Sequence, residues 1–361
     1  MEFQERVMAS EPPEHYPYVT RRLVHLFEIG ALTNVKDFDI EPDYGYVSRI
    51  NYVDGSHRVT YGSDLGLNEG AACELAKDKG HTKFMLRTIG VECPEGEEFL
   101  LPSWAEVVQN NPKKIPTGNL RLASDADPYI KSHFGYPAYI KPVAGSKGGN
   151  IFKVYNPDEL KTVLDFYEEK KVHLAIVEKP FDMPDYRVVI LDGELISAYQ
   201  RLPLTVTGDG YHTVAQLLSA LQEQYAEIGR DTRISQDDPR IASYLAKSKL
   251  TLNSRPDPQA EVVLLPVSNL SAGGTSVDVS SSIDQHWVDL AVYVAKNFNL
   301  RLCGVDLACE DITDPKSRYL VIEVNAAPGL DNYAMSGDAQ QKLVDEFYTK
   351  VLNALPGALT K

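Results

Sequence analysis

The 361-residue chain has a hydrophobic fraction of 43% and a formal net charge of −15. That length fits two to three domains, or one enzyme of coupled subdomains, with ample apolar material for a core. The acidic balance argues against a general nucleic-acid or anionic-membrane surface, while leaving room for a local basic pocket that takes a phosphorylated ligand. The four cysteines, Cys73, Cys93, Cys303 and Cys309, form no CxxC pair and read as free thiols in a reducing, cytoplasmic setting. The first residues lack the basic start and apolar stretch of a signal peptide. No run is long enough to span a membrane, and no internal repeat is visible.

Residues 1–70 carry no motif with recognisable chemistry. Val19–Ile29 reads as a short helix, and Tyr44–Tyr61 as two strands about the turn signal Asp54-Gly55. Gly70–Ile89 has helical apolar spacing and stops at Gly90; its lysines Lys77, Lys79 and Lys83 would by default be solvated. Residues 95–127 read as a short helix over Trp104–Gln109 and a loop rich in proline and asparagine. A helix over Tyr129–Phe134 leads into the strand Ala138–Pro142 and then a glycine-rich stretch, Gly145-Ser146-Lys147-Gly148-Gly149. The strand Ile151–Val154, a helix over Asp158–Lys170 and the strand Leu174–Glu178 follow. Tyr186–Leu191 and Glu194–Gln200 form a hairpin across Asp192-Gly193. Helices over Val214–Ile228 and Ile241–Lys247 flank a polar segment, Arg230–Arg240, expected to be a loop on the substrate side. Val262–Leu265 reads as a strand, Ser271–Ser276 as a flexible loop, Ile283–Phe298 as a strong helix and Ala339–Leu352 as a closing helix. The alternation predicts an α/β (α+β) fold of enzyme size.

The chemistry concentrates near the C-terminal strands. Tyr319–Asn325 is an apolar run in which Glu323 and Asn325, two apart, share one face of a strand before Pro328-Gly329 turns the chain. A carboxylate beside an amide oxygen suits a hard divalent cation. Cys303-Gly304-Val305-Asp306-Leu307 is a second short strand carrying one carboxylate, and neighbouring strands would bring Asp306, Glu323 and Asn325 together. A single carboxylate on a strand is ordinarily a solvated outer-face residue; the ordered pair is less common. The stretch Gly145–Gly149 between two strands suits anion binding, because glycines let backbone N–H groups converge. It is not a Walker A loop, since a strand follows and no Lys-[Ser/Thr] opens a helix. Lys141, among Ile140, Pro142 and Val143, needs an anionic partner. Glu178 leaves a strand toward Phe181 and Asp185, an arrangement open either to base recognition or to simple capping. His212 reads as structural and His286 as a helix-surface residue. Arg233, Arg240 and Arg255 could recognise a substrate carboxylate, though surface arginines are common.

Taken in order, these stretches resemble the ATP-grasp superfamily of carboxylate–amine ligases. The likeness is greatest to the ATP-grasp modules of cyanophycin synthetase and of the bifunctional γ-glutamate–cysteine ligase/glutathione synthetase. It covers residues 70–335. It rests on Asp78-Lys79 with Gly90-Val91, Tyr139-Ile140-Lys141-Pro142 with the glycine-rich loop, and Glu178-Lys179-Pro180-Phe181 with Asp185-Tyr186-Arg187. It rests further on Arg201 with Val206–Thr213, on Asn269–Val279, on Cys303–Asp306 and on Glu323–Gly329. It implies an ATP-grasp fold in which two α+β subdomains grip ATP. The expected organisation is an N-terminal pre-ATP-grasp region (1–70), a helical linking part (71–135), a lid subdomain (136–200) and a C-terminal subdomain with the metal site (201–361).

The resemblance also implies roles. Lys79 and Lys141 would hold ATP phosphates beneath a mobile lid of Gly145, Ser146, Lys147, Gly148 and Gly149. Glu178 would take the adenine amino group, the backbone of Lys179 and Phe181 the ring, and Asp185 the ribose. Asp306, Glu323 and Asn325 would hold Mg2+, with Mn2+ as the alternative. Arg187 and Arg201 would meet transition-state charge, and Gly273, Gly274 and Thr275 would lie against the acyl substrate. Asn150 stands where many relatives carry glycine, and Gly304 where some carry arginine. The implied activity is an ATP-dependent ligase acting on an amino acid or short peptide, free-standing and single-reaction, with no nucleic-acid or membrane partner, and a homodimer by analogy. A different class of function, a non-catalytic ATP-binding regulatory module, would predict loss of a metal ligand or phosphate lysine. All five of those positions are occupied here.

Overall fold

The computed structural model describes residues 15–111, 121–145, 150–230, 232, 234–265 and 268–356. The chain opens with helix α1 (Tyr18–Glu28) and strands β1 (Val35–Ile40), β2 (Val47–Tyr52) and β3 (His57–Tyr61). Next come α2 (Gly70–Lys77), α3 (Lys79–Thr88), β4 (Gly96–Leu100), α4 (Pro102–Gln109), α5 (Ala126–His133), β5 (Ala138–Pro142) and β6 (Phe152–Val154). The middle holds α6 (Pro157–Glu169), β7 (Leu174–Glu178), β8 (Asp185–Leu191), β9 (Glu194–Leu202), β10 (Thr205–Thr207), α7 (Val214–Glu227), α8 (Pro239–Lys247) and β11 (Glu261–Val263). It closes with β12 (Thr275–Asp278), α9 (Gln285–Asn297), β13 (Leu302–Cys309), β14 (Tyr319–Asn325), α10 (Asp331–Ala334) and α11 (Asp338–Asn353). None of these helices is long and apolar enough to cross a membrane. Strands β12-β9-β8-β13-β14 form a five-stranded sheet in that order, and β4-β7-β5-β6 a four-stranded one. The chain divides into two compact units: Met1–Cys73, Arg187–Val305 and Asn325–Lys361 in one, Glu74–Tyr186 and Asp306–Val324 in the other.

In the second unit, β4, β7, β5 and β6 pair antiparallel throughout. Period-two alternation then sorts their residues onto two faces. Phe99, Ala138, Ile140, Val154, Ala175 and Val177 point one way and pack against Ala126, Tyr129 and Ile130 of α5 and Leu160, Val163 and Tyr167 of α6. The opposite face carries Tyr139, Lys141, Glu98 and Glu178, because Tyr139 registers with Glu178 and Gly96, and Lys141 with Ile176 and Glu98. One side of this sheet is therefore a core and the other a polar floor.

The single helix expected over Gly70–Ile89 is instead two. Asp78 takes an extended conformation and caps α3, its side chain accepting from the His81 N–H. Such a cap contributes about 1 kcal/mol. The break lets Asp78 bridge to Ala144 and lets the Lys79 N–H donate to the Val143 carbonyl at 3.2 Å. The apolar spacing runs through 70–89, but Asp78 and Gly80 weaken the helix at this point, and these contacts past the end of β5 hold the break.

In the first unit, α1, β2, α10 and α11 enclose a core of Leu23, Leu26, Ile50, Tyr52, Tyr333, Phe347, Tyr348 and Val351, with Val189, Leu191 and Tyr199 of the five-stranded sheet. A second cluster in the same unit joins β10, β11, α7 and α8 through Val206, Val214, Leu218, Ile241, Leu245 and Val262. The stretch 271–276, expected as a flexible loop, is ordered. A turn of 3-10 helix over Leu270–Ala272 is capped by Asn269, Gly273 adopts φ +94°, and β12 begins at Thr275 against Leu202 of β9.

Candidate active site

The polar floor of the four-stranded sheet is organised round one carboxylate. Glu178 ends β7 and is 5% exposed. Its Oε2 accepts from Lys141 Nζ at 2.7 Å and its Oε1 from Lys83 Nζ at 2.7 Å. Gly96 lies directly opposite on β4; a Cβ there would stand 2.2 Å from the Val177 carbonyl and 2.9 Å from Glu178 Cγ. Glycine is therefore required for the carboxylate to fold over the strand. Burial would push the Glu178 carboxyl up, but the Lys141 and Lys83 ammonium groups outweigh it and hold the group below the usual carboxylate range. The expected anionic partner of Lys141 is thus a protein carboxylate.

Lys83 corrects the expectation that it is solvated, since it is 7% exposed and ion-paired. Helical spacing alone could have hinted at this, because Lys83 lies beside Thr82 and three residues before Leu86 on the buried stripe. One turn earlier on the same helix, Lys79 Nζ donates to the Gly145 carbonyl at 2.8 Å and lies 3.5 Å from Glu323 Oε1. This lysine joins three segments that sequence reading assigned to phosphate, lid and metal. Of the lid, Gly145 is described, with φ +148°; Ser146, Lys147, Gly148 and Gly149 lie outside the described residues. Asn150 takes φ +59°, a left-handed conformation that asparagine tolerates better than most side chains. Its substitution for glycine is thereby accommodated.

Nearby, Glu98 is half-buried. Burial and then the charge of Asp78 push its carboxyl up, against the pull of His81 and Lys83. The Lys179 N–H donates to the Glu95 carbonyl at 2.9 Å. Phe181 and Asp185 follow, the latter opening β8. Asp306 sits on β13 at 1% exposure. Glu323, on the neighbouring strand β14, keeps a side chain 30% exposed. Among the described residues no three His, Cys, Asp or Glu side chains gather into a metal-holding group. The expected set has two carboxylates and an amide.

The remaining predicted residues belong to the first unit. Arg187 lies on β8 and Arg201 on β9, where it registers with Ser276 of β12. Asn325 Nδ2 approaches the Gly304 carbonyl at 3.5 Å. The Gly273-Gly274-Thr275 segment is held by two residues that sequence reading missed. Tyr225 OH donates to the Gly273 carbonyl at 2.8 Å, and Arg230 donates to the carbonyls of Leu270 and of Gly274, the latter at 2.7 Å. The Arg230 guanidinium lies over the Tyr225 ring, 4.1 Å from its centroid. Arg230 lies in the expected loop between α7 and α8 and is 9% exposed. A Cβ on Gly273 would meet Ile234 Cδ1 at 2.6 Å. Arg240 is paired with Asp238 at 2.7 Å and Arg255 is exposed, while Arg233 lies outside the described residues. His212 Nδ1 meets Asp209 Oδ2 at 2.6 Å, and His286 is exposed on α9, the latter as expected.

The chain has the ATP-grasp fold, and residues 267–347 match the RimK-like ATP-grasp domain. The crystal structure of a bifunctional glutathione synthetase from Pasteurella multocida superposes with a TM-score of 0.57. The two are 20% identical, over 93% of this chain and 44% of that one. Among curated relatives, cyanophycin synthetase of Crocosphaera subtropica is 31% identical over 266 residues, 72% of this chain and 28% of the relative. The glutathione biosynthesis bifunctional protein GshAB of Enterococcus faecalis is 27% identical over 288 residues, 75% of this chain and 34% of the relative. The chain therefore spans about a third or less of the length of the curated relatives it matches.

Proposed function

We propose that this chain is an ATP- and Mg2+-dependent ligase that activates an amino-acid or short-peptide carboxylate and joins it to an amine. The observation that carries the reading is Lys79, which reaches both the carbonyl opening the glycine-rich stretch and the Glu323 carboxylate. Relatives named for cyanophycin synthesis and glutathione biosynthesis are in keeping with it. Lys79 and Lys141 would bind the phosphates, with Gly145–Gly149 over them. Glu178 and the backbone of Lys179 and Phe181 would recognise adenine, and Asp185 ribose.

The carboxylate oxygens of Asp306 and Glu323 and the amide oxygen of Asn325 are the hard donors that Mg2+ prefers. The ammonium already beside Glu323 indicates that the position favours a cation. When bound there, Mg2+ would offset charge on the transferring phosphoryl group. The substrate carboxylate oxygen takes the γ-phosphoryl group and ADP leaves. The amine nitrogen then attacks the carbonyl carbon, the bond to phosphate breaks, and the nitrogen loses a proton. Arg187 and Arg201 would stabilise the oxyanion, and the turn at Gly273-Gly274-Thr275 would lie against the acyl group. The test is to incubate the protein with ATP, Mg2+ and pools of amino acids and dipeptides, following phosphate release and product mass. Phosphate release that requires both an acid and an amine supports the reading; ATP binding without turnover in any pool refutes it.

A further inference from the structure

We propose that Lys83 is a positioning residue. It holds and compensates Glu178 when Lys141 leaves it for nucleotide phosphate, and so lets Glu178 select adenine. This rests on the nucleotide reading of the site. One carboxylate needs one counter-ion, yet Glu178 has two, each at 2.7 Å, with all three side chains 9% exposed or less. The two lysines differ in where the backbone holds them. Lys83 is in the middle of α3, flanked by buried Thr82 and followed one turn on by buried Leu86. Lys141 is the penultimate residue of β5, four before Gly145 and the glycine-rich stretch. Lys79 already turns from the same face of α3 toward Gly145 and Glu323. A polyanion arriving there would draw Lys141, whose strand end faces it, more readily than Lys83.

The cost of that exchange decides the role. Were Lys141 the sole partner, its departure would leave a buried carboxylate uncompensated, which is strongly unfavourable. The carboxyl would take up a proton or swing after the lysine. With Lys83 in place it stays ionised and fixed. A fixed carboxylate accepts from the 6-amino donor of adenine and repels the 6-oxo acceptor of guanine. Lys83 thus acts on base selection through Glu178, whereas Lys141 acts on phosphate.

The test compares wild type, Lys83→Met and Lys83→Arg by calorimetric titration with ATP, GTP and inorganic tripolyphosphate, each with Mg2+. Wild type should prefer ATP over GTP. In Lys83→Met that preference should fall by about tenfold or more while tripolyphosphate affinity changes by less than about threefold. Lys83→Arg should restore most of the preference. An unchanged ATP-to-GTP ratio in Lys83→Met overturns the proposal. So does an equal loss of ATP and tripolyphosphate binding that arginine does not restore, since that is a purely structural effect. Should Lys83→Met not fold, judged by circular dichroism, Lys83→Gln takes its place under the same criteria. Wild type that binds neither ATP nor tripolyphosphate refutes the nucleotide reading itself, a result distinct from the others.

Discussion

Replacing Glu178 by glutamine keeps the shape of the side chain and removes the charge that two buried ammonium groups share. Each contact is 2.7 Å long. At an effective dielectric near 20 and this separation, one such pair attracts by about 6 kcal/mol. Repulsion between the two lysines and the desolvation of all three groups offset much of the doubled sum. Removing one partner of a buried ionic group costs about 3–5 kcal/mol, and that is the loss expected for Glu178→Gln at pH 7. The pH dependence has a definite sign. The folded carboxyl titrates below its unfolded value, so its stabilisation is full above about pH 5 and is lost as pH falls through the folded value. The gap between wild type and variant should therefore close on acidification. Urea unfolding followed by far-UV circular dichroism, at pH 7 and stepwise below pH 5, measures both. A loss under about 1 kcal/mol at neutral pH, or a gap that persists undiminished in acid, would refute the ionic account.

Three other outcomes follow from the same contacts. Arg230→Ala should free the turn at 269–275, raising amide exchange in that segment, with the lost carbonyl contacts costing about 1–3 kcal/mol; protection equal to wild type would contradict the clamp. Gly273→Ala should cost roughly 1–3 kcal/mol, because a β-carbon would be strained at φ +94° and crowd Ile234; a melting temperature equal to wild type would refute this. Glu323→Gln should abolish ATP turnover with the circular dichroism spectrum unchanged, and retained phosphate release would sink the metal assignment.

Much of the fold was legible because local signals agreed with tertiary needs. The apolar run Leu174–Glu178, the turn at Asp192-Gly193 and the stripe of α9 each matched their final state. Strand β4 was missed because Gly-Glu-Glu-Phe-Leu has no strand pattern of its own. Its glycine is dictated by Glu178 opposite, and its Glu98 stands on the polar face of the sheet. The apolar spacing of residues 70–89 reads as one helix, whereas the family resemblance opens a helix at Asp78-Lys79; the structure breaks there, with Asp78 as N-cap and its bridge to Ala144 holding the interruption.

The sequence by itself determined which residue types stand ready for the chemistry: the strand-end carboxylates, the lysines near the glycine-rich stretch, and their order along the chain. Pairings remote in sequence were decided by tertiary structure alone. Glu178 meets Lys83 across 95 positions, and Arg230 meets Gly274 across 44. No local pattern encodes such contacts. A buried charge takes whichever partner the packing brings within reach, and that is set by strand register and helix placement.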